Sequence, residues 1–454
     1  MELGKYSRYN PRRRKHTLPY YTISDSQRLR HIYCIGKTGV GKSTALINWA
    51  NKDIRNGRGC LFIDPHGHDA ETLLSLIPTN RRNDVIFFAP AEYPIALNLF
   101  DQVPPNRHSF VATSIVDTFK SVFKLDDFPA PNIEMFVKAS CLALLETPGS
   151  TLLGLNYILT SPTYRKKVVG NIKDPIIKNF WEQTFAEHMT EKEQRDRTLS
   201  TVNKIFQLIT DPAIRYCVGQ EKSGFDFQNV IINHKIFIAS LPQGELGTQL
   251  SSVIGSFLLA AFHTAALQRK EYSLFPVYID EFQKFSQFTI MEMLAGIRKQ
   301  GICVVLAHHY TEEVSPELRA AIFGTVGNIV AFAVGPLDAE LLAKQFEQKI
   351  KPDDLIKLPP YRALAHAGKG TVDLHMPPVE AKAFPSAPAR IRANCRTRYS
   401  RPIDQIEAEI SAFIAATMRP PTKERRETET RRSNARGWLD KPAQWSPENY
   451  GAGP

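Results

Sequence analysis

The segment 36–43, GKTGVGKS, constrains the fold of this chain more than any other feature of its sequence. It matches the pattern G-x-x-x-x-G-K-[ST] without a mismatch, and a short apolar run, HIYCI (31–35), precedes a helical pattern. The glycines let successive N–H groups point at phosphate oxygens, and the start of the following helix adds its positive dipole end. We therefore expect a P-loop between a buried strand and a helix. Its candidate binding residues are Gly36, Lys37, Thr38, Gly39, Val40, Gly41, Lys42, Ser43 and Thr44.

A P-loop needs an acidic partner, and the run PVYID (276–280), which ends in Asp280 and is followed by Glu281, supplies one. Lys42 would reach the β- and γ-phosphates of ATP, while Ser43 and, through water, Asp280 would hold Mg²⁺. Glu281 could polarise the attacking water. Alone, the acid pair could merely cap a loop, but together with the P-loop it predicts an ATPase with ATP and Mg²⁺ as cofactors.

A third strand-end motif is Asp64-Pro65-His66-Gly67, after the apolar run CLFID. Ligands of open α/β sheets bind at the carboxyl ends of the strands, so Asp64 could lie behind the metal or along the path of a polymer. A turn stabilised by Asp and Pro explains the same residues, and both interpretations stay open.

Strand-like and helix-like patterns alternate along most of the chain, which favours an α/β fold. The apolar runs are continuous rather than alternating, as in the buried strands of a parallel sheet. We predict a mainly parallel P-loop core, an inserted all-helical domain and a largely disordered basic C-terminal tail. The predicted regions are a polar, basic N-terminal arm at 1–30, core at 31–105, helical insertion at 106–222, core at 223–384, and a tail at 385–454 with one helix at 403–418.

The balance of 57 Lys and Arg against 46 Asp and Glu gives a net charge of +11, which favours an acidic polymer or an anionic surface as partner. The six cysteines form no CxxC pair, so a disulfide framework or a zinc ribbon is not expected. No secretory signal follows Met1, and the most apolar window, 252–267, is shorter than the ~20 residues that span a bilayer. We expect a cytoplasmic protein with no integral membrane segment.

Two basic segments are candidates for sequence-independent phosphate contacts. The run 12–15 is RRRK, for which a solvated arm is the favoured interpretation. Between 390 and 401 lie five arginines and no acid, which could bind DNA or an acidic protein. No helix-turn-helix or zinc-finger pattern is present, so base-specific recognition is not predicted.

The ordered motifs resemble those of HerA/FtsK-type DNA motor ATPases, and within them the soluble relatives of conjugative coupling proteins of type IV secretion. The likeness covers roughly residues 28–374. It rests on RHIYCIGKTGVGKST (30–44), GRGCLFIDPHG (57–67), VYIDEFQKF (277–285), AGIRKQGICVVLAHHY (295–310) and GNIVAFAVGPLDAELLAKQF (327–346).

The resemblance implies a RecA-like core, a homo-hexameric ring with DNA in its channel, and His308-His309 in the place of a γ-phosphate sensor. The sequence departs from the family's pattern twice, with His309 where relatives commonly carry Gln and Ala333 where they carry Arg. A neutral His309 can still donate one hydrogen bond. Arg298 and Arg319 are candidates to replace the missing arginine in trans, although a salt-bridged helix surface is the slightly favoured interpretation of both.

Three functions remain open. The first is a ring-forming ATPase that moves DNA, without sequence preference, in conjugation or a related type IV secretion process, with a relaxase or secretion components as partners. The second is a nucleotide-gated scaffold with weak turnover, which Ala333 keeps open. The third is an ATPase that energises protein secretion. Each is compatible with a cytoplasmic protein that docks peripherally at a membrane secretion complex.

Overall fold

The computed structural model describes residues 1–6, 8–10, 15–17, 19–125, 131–270, 272–346, 350–368, 370–379 and 384–418. Eleven of its strands form one sheet, and β2 and β3 pair as a separate hairpin. The strands are β1 (Glu2–Lys5), β2 (Arg8–Asn10), β3 (Lys15–Thr17), β4 (Tyr20–Thr22), β5 (Ile32–Ile35), β6 (Cys60–Asp64), β7 (Val85–Phe88), β8 (Ile236–Ser240), β9 (Phe275–Ile279), β10 (Ile302–His308), β11 (Ile329–Ala331), β12 (Arg362–Ala367) and β13 (Gly370–His375).

The order of the sheet is β4-β1-β13-β12-β11-β5-β10-β9-β6-β8-β7. The seven strands from β11 to β7 are parallel, and they correspond to the apolar runs of the sequence. Every residue of β5, β6, β9 and β10 is buried, because helices cover both faces of the sheet. The predicted mainly parallel sheet is confirmed. Strand β10 lies between β5 and β9, so its carboxyl end separates the P-loop from the acid pair.

Helices precede, cover and interrupt this sheet. They are α1 (Asp25–Arg28), α2 (Lys42–Arg55), α3 (His68–Ser75), α4 (His108–Phe123), α5 (Pro131–Leu145), α6 (Gly154–Thr160), α7 (Pro162–Val169), α8 (Pro175–Asn179), α9 (Glu191–Ile209), α10 (Pro212–Val218), α11 (Phe227–Ile232), α12 (Gln243–Leu246), α13 (Thr248–Ala266), α14 (Gln287–Gly296), α15 (Pro316–Thr325), α16 (Pro336–Gln345), α17 (Pro352–Ile356), α18 (Ala387–Tyr399) and α19 (Ile403–Met418). A π-helical turn, Phe180–Phe185, continues α8.

Helices α4 to α11 all lie in the chain between β7 and β8, and α4 to α10 fall within 106–222, the stretch for which the sequence predicts a helical insertion, whereas α11 falls in the predicted core. Helix α4 packs against α13 and α14 of the core. Its Asp117 carboxylate accepts hydrogen bonds from the Ser286 hydroxyl at 2.6 Å and the Phe288 N–H at 3.3 Å. The insertion is therefore tied to the start of α14, a few residues after the acid pair.

The N-terminal residues are not a solvated arm where the structure describes them. Strand β1 joins the main sheet through β13, and β4 pairs with β1 at its edge. Leu3 is buried, and its carbonyl accepts a hydrogen bond from the Trp49 indole at 3.0 Å. Strands β1 and β4 therefore extend the antiparallel end of the sheet. Within the basic run, 12–14 lies outside the described residues.

The start of the predicted tail is ordered as two helices, where the sequence predicts one. Helix α18 packs on β7, the edge strand, and buries Ala387, Ile391 and Cys395 at spacings of four residues. The Cys395 thiol lies 3.3 Å from both the Phe87 nitrogen and the Val85 carbonyl oxygen, so it partly satisfies the open edge of the sheet. Helix α19 packs against α7 and α10. The predicted disorder of the remaining tail, 419–454, lies outside the described residues.

One described helix, α13, has the length and apolar composition that crossing a membrane requires. Its apolar window is 83% buried within the protein, where it packs against α4, α11 and α14. The apolar window 252–267 of the sequence lies in this helix and its C-cap, Leu267.

Candidate functional site

The loop between β5 and α2 has a backbone that requires glycine. Gly39 and Gly41 have φ angles of +78° and +112°, in a region that other residues rarely adopt. A Cβ on Gly36 would lie 2.6 Å from the Phe332 Cβ, so this glycine permits close approach to the chain after β11. The Lys37 N–H donates to the Ala333 carbonyl at 2.8 Å. The loop is therefore held in shape, while Lys37, Thr38 and Gly39 at its tip stay exposed.

Lys42, the first residue of α2, is buried and points back into this loop. Its Nζ donates to the carbonyls of Gly36 at 2.7 Å and Lys37 at 3.0 Å. The third contact of Nζ is the imidazole Nδ1 of His309 at 2.9 Å. All three N–H bonds of the ammonium group thus have a partner, and a bound phosphate would have to replace at least one of them.

The acid pair follows β9 and is buried, with Asp280 and Glu281 each 4% exposed. Glu281 has a φ of +48°, an unusual conformation for a residue other than glycine, which is held only where the surroundings enforce it. Its Oε1 lies 2.8 Å from the His309 Nε2, and its Oε2 accepts from the Gln283 amide at 2.7 Å. The carboxylate is thereby oriented toward the P-loop lysine through His309.

Negative charge accumulates behind the P-loop. The pKa of Asp280 is raised to about 8, first by burial and then by the nearby Glu281, Asp69 and Asp64. Burial, followed by Asp64, also raises the pKa of Asp69, on which a hydrogen bond with the Ser43 hydroxyl acts in the opposite direction. A divalent cation beside Ser43 and Asp280 would relieve this repulsion. Since Mg²⁺ is usually held by one or two carboxylates together with phosphate oxygens, these residues fit it.

The two histidines at the end of β10 have different environments. His308 is buried, with its Nε2 2.6 Å from the Tyr33 hydroxyl and its ring against Phe282. Burial, with the charges of Lys42 and His309, lowers the pKa of His308 to about 3, so it stays neutral. Of the predicted sensor pair, it is therefore His309 that contacts Lys42 and Glu281.

Two residues that the sequence analysis did not select support this arrangement. The Glu313 Oε2 accepts from the backbone N–H groups of His309 and Tyr310, each at 3.1 Å, and Gln283 bridges Glu313 and Glu281. Asp69, close to Ser43, was missed as well. Gln283 lies within the VYIDEFQKF motif, which could have indicated it, whereas no spacing rule connects Asp69 or Glu313 with the P-loop.

Asp64 is engaged by backbone groups. Its Oδ1 accepts from the His66 N–H at 2.8 Å and its Oδ2 from the Ala70 N–H at 2.9 Å, which closes a turn and starts α3. These contacts support the turn interpretation. The Asp64 carboxylate also raises the pKa of Asp280 and of Asp69, so it adds negative charge to the site as well.

The structure does not bring both arginine candidates to the P-loop of their own chain. Arg298 is exposed in the turn before β10. This seven-residue strand separates it by about 20 Å from the carboxyl end of the strands, where the P-loop lies. Arg319 is half-buried on α15, close enough for its charge to lower the pKa of Tyr33 against the larger effect of burial. Ala333 is buried beneath the P-loop, at the carbonyl that anchors Lys37.

Solved structures share this architecture. The plasmid coupling protein TrwB in complex with ADP and Mg²⁺ aligns with a TM-score of 0.59 at 15% identity, over 80% of this chain and 89% of TrwB. VirB4 of Thermoanaerobacter pseudethanolicus aligns with a TM-score of 0.56 at 14% identity, over 85% of this chain and 97% of VirB4. This chain has their fold. The predicted RecA-like P-loop core, and its likeness to coupling proteins, are thereby confirmed.

A second TrwB structure, with a non-hydrolysable ATP analogue, aligns with a TM-score of 0.57 at 16% identity, over 79% of this chain and 88% of TrwB. The nucleotides and Mg²⁺ named in these structures are the cofactors predicted here from the P-loop and the acid pair. No protein-family model and no curated protein matches the sequence.

Proposed function

We propose that this chain is a P-loop ATPase that binds Mg-ATP and uses its hydrolysis to move DNA, in conjugative transfer or a related type IV secretion process. The observation that carries the proposal is the continuous contact from Lys42 through His309 to Glu281. It joins the lysine that would hold the phosphates to the carboxylate that would activate water. The fold shared with TrwB and VirB4 supports the same conclusion.

The N–H groups of the exposed loop tip and of the first turn of α2 would bind the phosphates. Lys42 would exchange its contact with His309 for a phosphate oxygen, since its three N–H bonds are already used. Ser43 and Asp280 would hold Mg²⁺, which when bound supplies charge neutralisation on the β- and γ-phosphates. Glu281, buried and fixed by Gln283, would orient the attacking water and accept its proton.

His309 would report the presence of the nucleotide to Glu281. With Nδ1 accepting from Lys42 and Nε2 donating to Glu281, the ring is in one neutral tautomer. Once Lys42 turns to a phosphate, Nδ1 becomes available to accept from another donor, while Nε2 keeps hold of the carboxylate. The residue would thus sense the γ-phosphate indirectly, through Lys42, rather than by donating a hydrogen bond to it.

DNA is the proposed polymer because the chain carries a net charge of +11 and no signature of base-specific recognition. The arginine-rich segment is less free for DNA than its composition suggests. Arg392 pairs with Glu71 and Glu92, and Arg401 pairs with Glu409. Arg390 and Arg396 on α18 are exposed and could contact phosphates.

The active form would be the hexameric ring that the family resemblance implies, in the cytoplasm and docked to a secretion complex at the membrane, with a relaxase or secretion components as partners. Arg298 lies about 20 Å from the end of the sheet that carries its own P-loop, so its role would lie in a neighbouring subunit's site, and we propose the same for Arg319. Ala333 favours a second candidate function, a nucleotide-gated scaffold with weak turnover, because an alanine buried under the loop offers no charge to a neighbour. An ATPase for protein secretion is the third.

Purified full-length protein would be assayed for phosphate release with and without DNA, next to Lys42→Ala and Glu281→Gln. Lys52→Ala, at a lysine of the same helix whose side chain is 45% exposed and pairs with Glu2, is the matched control. DNA-stimulated turnover that both site variants abolish and the control retains supports the motor. Nucleotide binding and assembly without turnover would instead favour the scaffold, and turnover unaffected by DNA would favour protein secretion. The mass of the assembled particle in the presence of a non-hydrolysable nucleotide gives the number of subunits in the ring.

A further inference from the structure

Tyr361, in the turn between α17 and β12, is bound to the far end of the P-loop. Its N–H donates to the Val40 carbonyl at 2.8 Å, and its carbonyl accepts from the Met376 N–H at 2.7 Å. Its φ is +62°, which a bulky residue adopts only where the surrounding structure holds it. The backbone of Tyr361 is therefore fixed against the loop from both sides.

The ring of Tyr361 lies directly against the loop and yet remains accessible. A Cβ on Gly41 would lie 2.9 Å from the Tyr361 Cδ1. The residue is nevertheless 45% exposed, whereas most aromatic side chains in the described part of the chain are buried. Packing of the core does not require this ring, so its position calls for another explanation.

The two ends of the P-loop have different neighbours. The first residues, Gly36 and Lys37, donate to the carbonyls of His308, on the side of the acid pair, and of Ala333, which follows β11 on the other side of β5. The last residues, Val40 and Gly41, contact Tyr361. Since Lys42 would hold the terminal phosphates and Glu281 the water that attacks them, the sugar and base would extend away from Glu281, beyond the first turn of α2.

The chain beside that turn offers a surface next to Tyr361. Thr44 is half-buried on α2, and one turn later the Asn48 amide donates to the Pro377 carbonyl at 2.9 Å. Pro377 directly follows Met376, which bonds to Tyr361. The end of β13, α2 and Tyr361 thus meet on one side of the loop.

We propose that Tyr361 is the platform on which the purine base of the bound nucleotide stacks. The inference rests on the proposed nucleotide site and assigns its base-binding residue. Aromatic side chains stack on any base because every base has a π-face, so ATP and GTP should bind with similar affinity. Replacement of a stacking aromatic by alanine weakens binding by about 5- to 150-fold.

The experiment is calorimetric titration of the full chain with Mg-ATP and, separately, with Mg-tripolyphosphate, which has the phosphates without sugar or base. Tyr361→Ala is compared with Tyr361→Phe, which keeps the ring, and with Tyr361→Gly, which removes the ring and suits the positive φ. We expect Tyr361→Ala and Tyr361→Gly to weaken the affinity for Mg-ATP by about 5- to 150-fold and to leave the affinity for tripolyphosphate unchanged. Phe should match the wild type with both ligands.

Equal weakening of both ligands by Tyr361→Gly would overturn the proposal, because it would mean that Tyr361 only shapes the loop. Unchanged Mg-ATP affinity in both the Ala and Gly variants would overturn it as well. Failure of the nucleotide site itself gives a different result, namely that the wild type binds neither ligand and Lys42→Ala changes nothing.

Discussion

The imidazole Nε2 of His309 lies 2.8 Å from the Oε1 of Glu281. The other ring nitrogen lies 2.9 Å from the ammonium group of Lys42, so one side chain spans the gap between the P-loop lysine and the proposed general base. The contact is possible because β10 is inserted between β5 and β9 and presents His309 just past its carboxyl end. The strand order of the sheet thus creates the site.

Glu281→Gln should abolish ATP turnover without loss of nucleotide binding. The amide keeps the shape of the side chain but cannot accept the proton of the attacking water, so we expect phosphate release to fall about 10²- to 10⁴-fold. Calorimetry with Mg-ATP should show affinity close to that of the wild type. Glu317→Gln, an exposed residue on α15, serves as the control. Turnover at the wild-type rate in Glu281→Gln would exclude this carboxylate as the base.

His309 should tolerate glutamine better than alanine. A Gln amide can donate to Glu281, as the ring does, whereas Ala leaves a buried carboxylate without that donor. Since hydrogen bonds to charged groups contribute about 1.5–3 kcal/mol, His309→Ala should lower turnover about 10- to 150-fold.

In the same phosphate-release assay, His309→Gln should stay much closer to the wild type. Equal loss in the Gln and Ala variants would contradict a role for the donor and would indicate that the ring shape matters instead. Mg-ATP affinity, measured in parallel, separates a defect in turnover from a defect in binding.

The parallel sheet and the P-loop can be predicted because their physical causes are local. Buried parallel strands require continuous apolar runs, and the loop requires glycine at fixed positions. The antiparallel strand β13 is mostly accessible, and β12 carries Arg362 and His366 at its two half-buried positions, so neither strand is a continuous apolar run. Helix α18 was mistaken for tail because its arginines dominate the composition. The spacing of Ile391 and Cys395 by four residues was the available indication of a packed face.

The details of the site depend on contacts between distant segments. The contact of His309 with Glu281 joins the ends of two strands. The position of Tyr361 depends on a positive φ, which a tyrosine in the sequence does not predict. Asp69 enters the site because α3 starts beside the P-loop, which the sequence reveals only once the fold is known. Strand order and backbone conformation, rather than composition, decide these positions.

Gly41→Ala and Gly57→Ala form a matched pair that separates backbone strain from function. Both glycines have positive φ, +112° and +83°, so each new methyl group should cost about 1–2 kcal/mol of folding free energy. At Gly57 a Cβ meets no atom within 4 Å, whereas at Gly41 it would lie 2.9 Å from Tyr361 and distort the loop.

Urea unfolding should therefore show a loss of stability in both variants, while calorimetry shows loss of Mg-ATP binding in Gly41→Ala alone. Misdirecting even one N–H from a charged phosphate costs about 1.5–3 kcal/mol, which corresponds to more than tenfold in Kd. Normal binding by Gly41→Ala would mean that the loop does not hold the phosphates.

Buried histidines should make the protein sensitive to mild acid. Burial, together with Arg107, lowers the pKa of His263 to about 4, against about 6.5 in an unfolded chain. Between these two pH values His263 binds a proton in the unfolded chain but not in the folded protein. Its contribution to the free energy of unfolding is therefore fully present above pH 6.5 and is lost as the pH falls toward 4. His31, whose pKa burial lowers to about 4, and His308 act in the same direction.

His263→Gln removes one of these groups, and His188→Gln, at an exposed position, is its control. Unfolding free energies from urea titrations at pH 7.5 and pH 5 give the acid-induced loss for each protein. Since 1.5 pH units below 6.5 correspond to about 2 kcal/mol for one histidine, His263→Gln should lose about 2 kcal/mol less than the wild type. Any packing defect beside the Phe110 ring affects both pH values equally and cancels in this difference. An acid-induced loss in His263→Gln as large as that of the wild type and of His188→Gln would show that His263 is protonated in the folded protein as readily as in the unfolded chain.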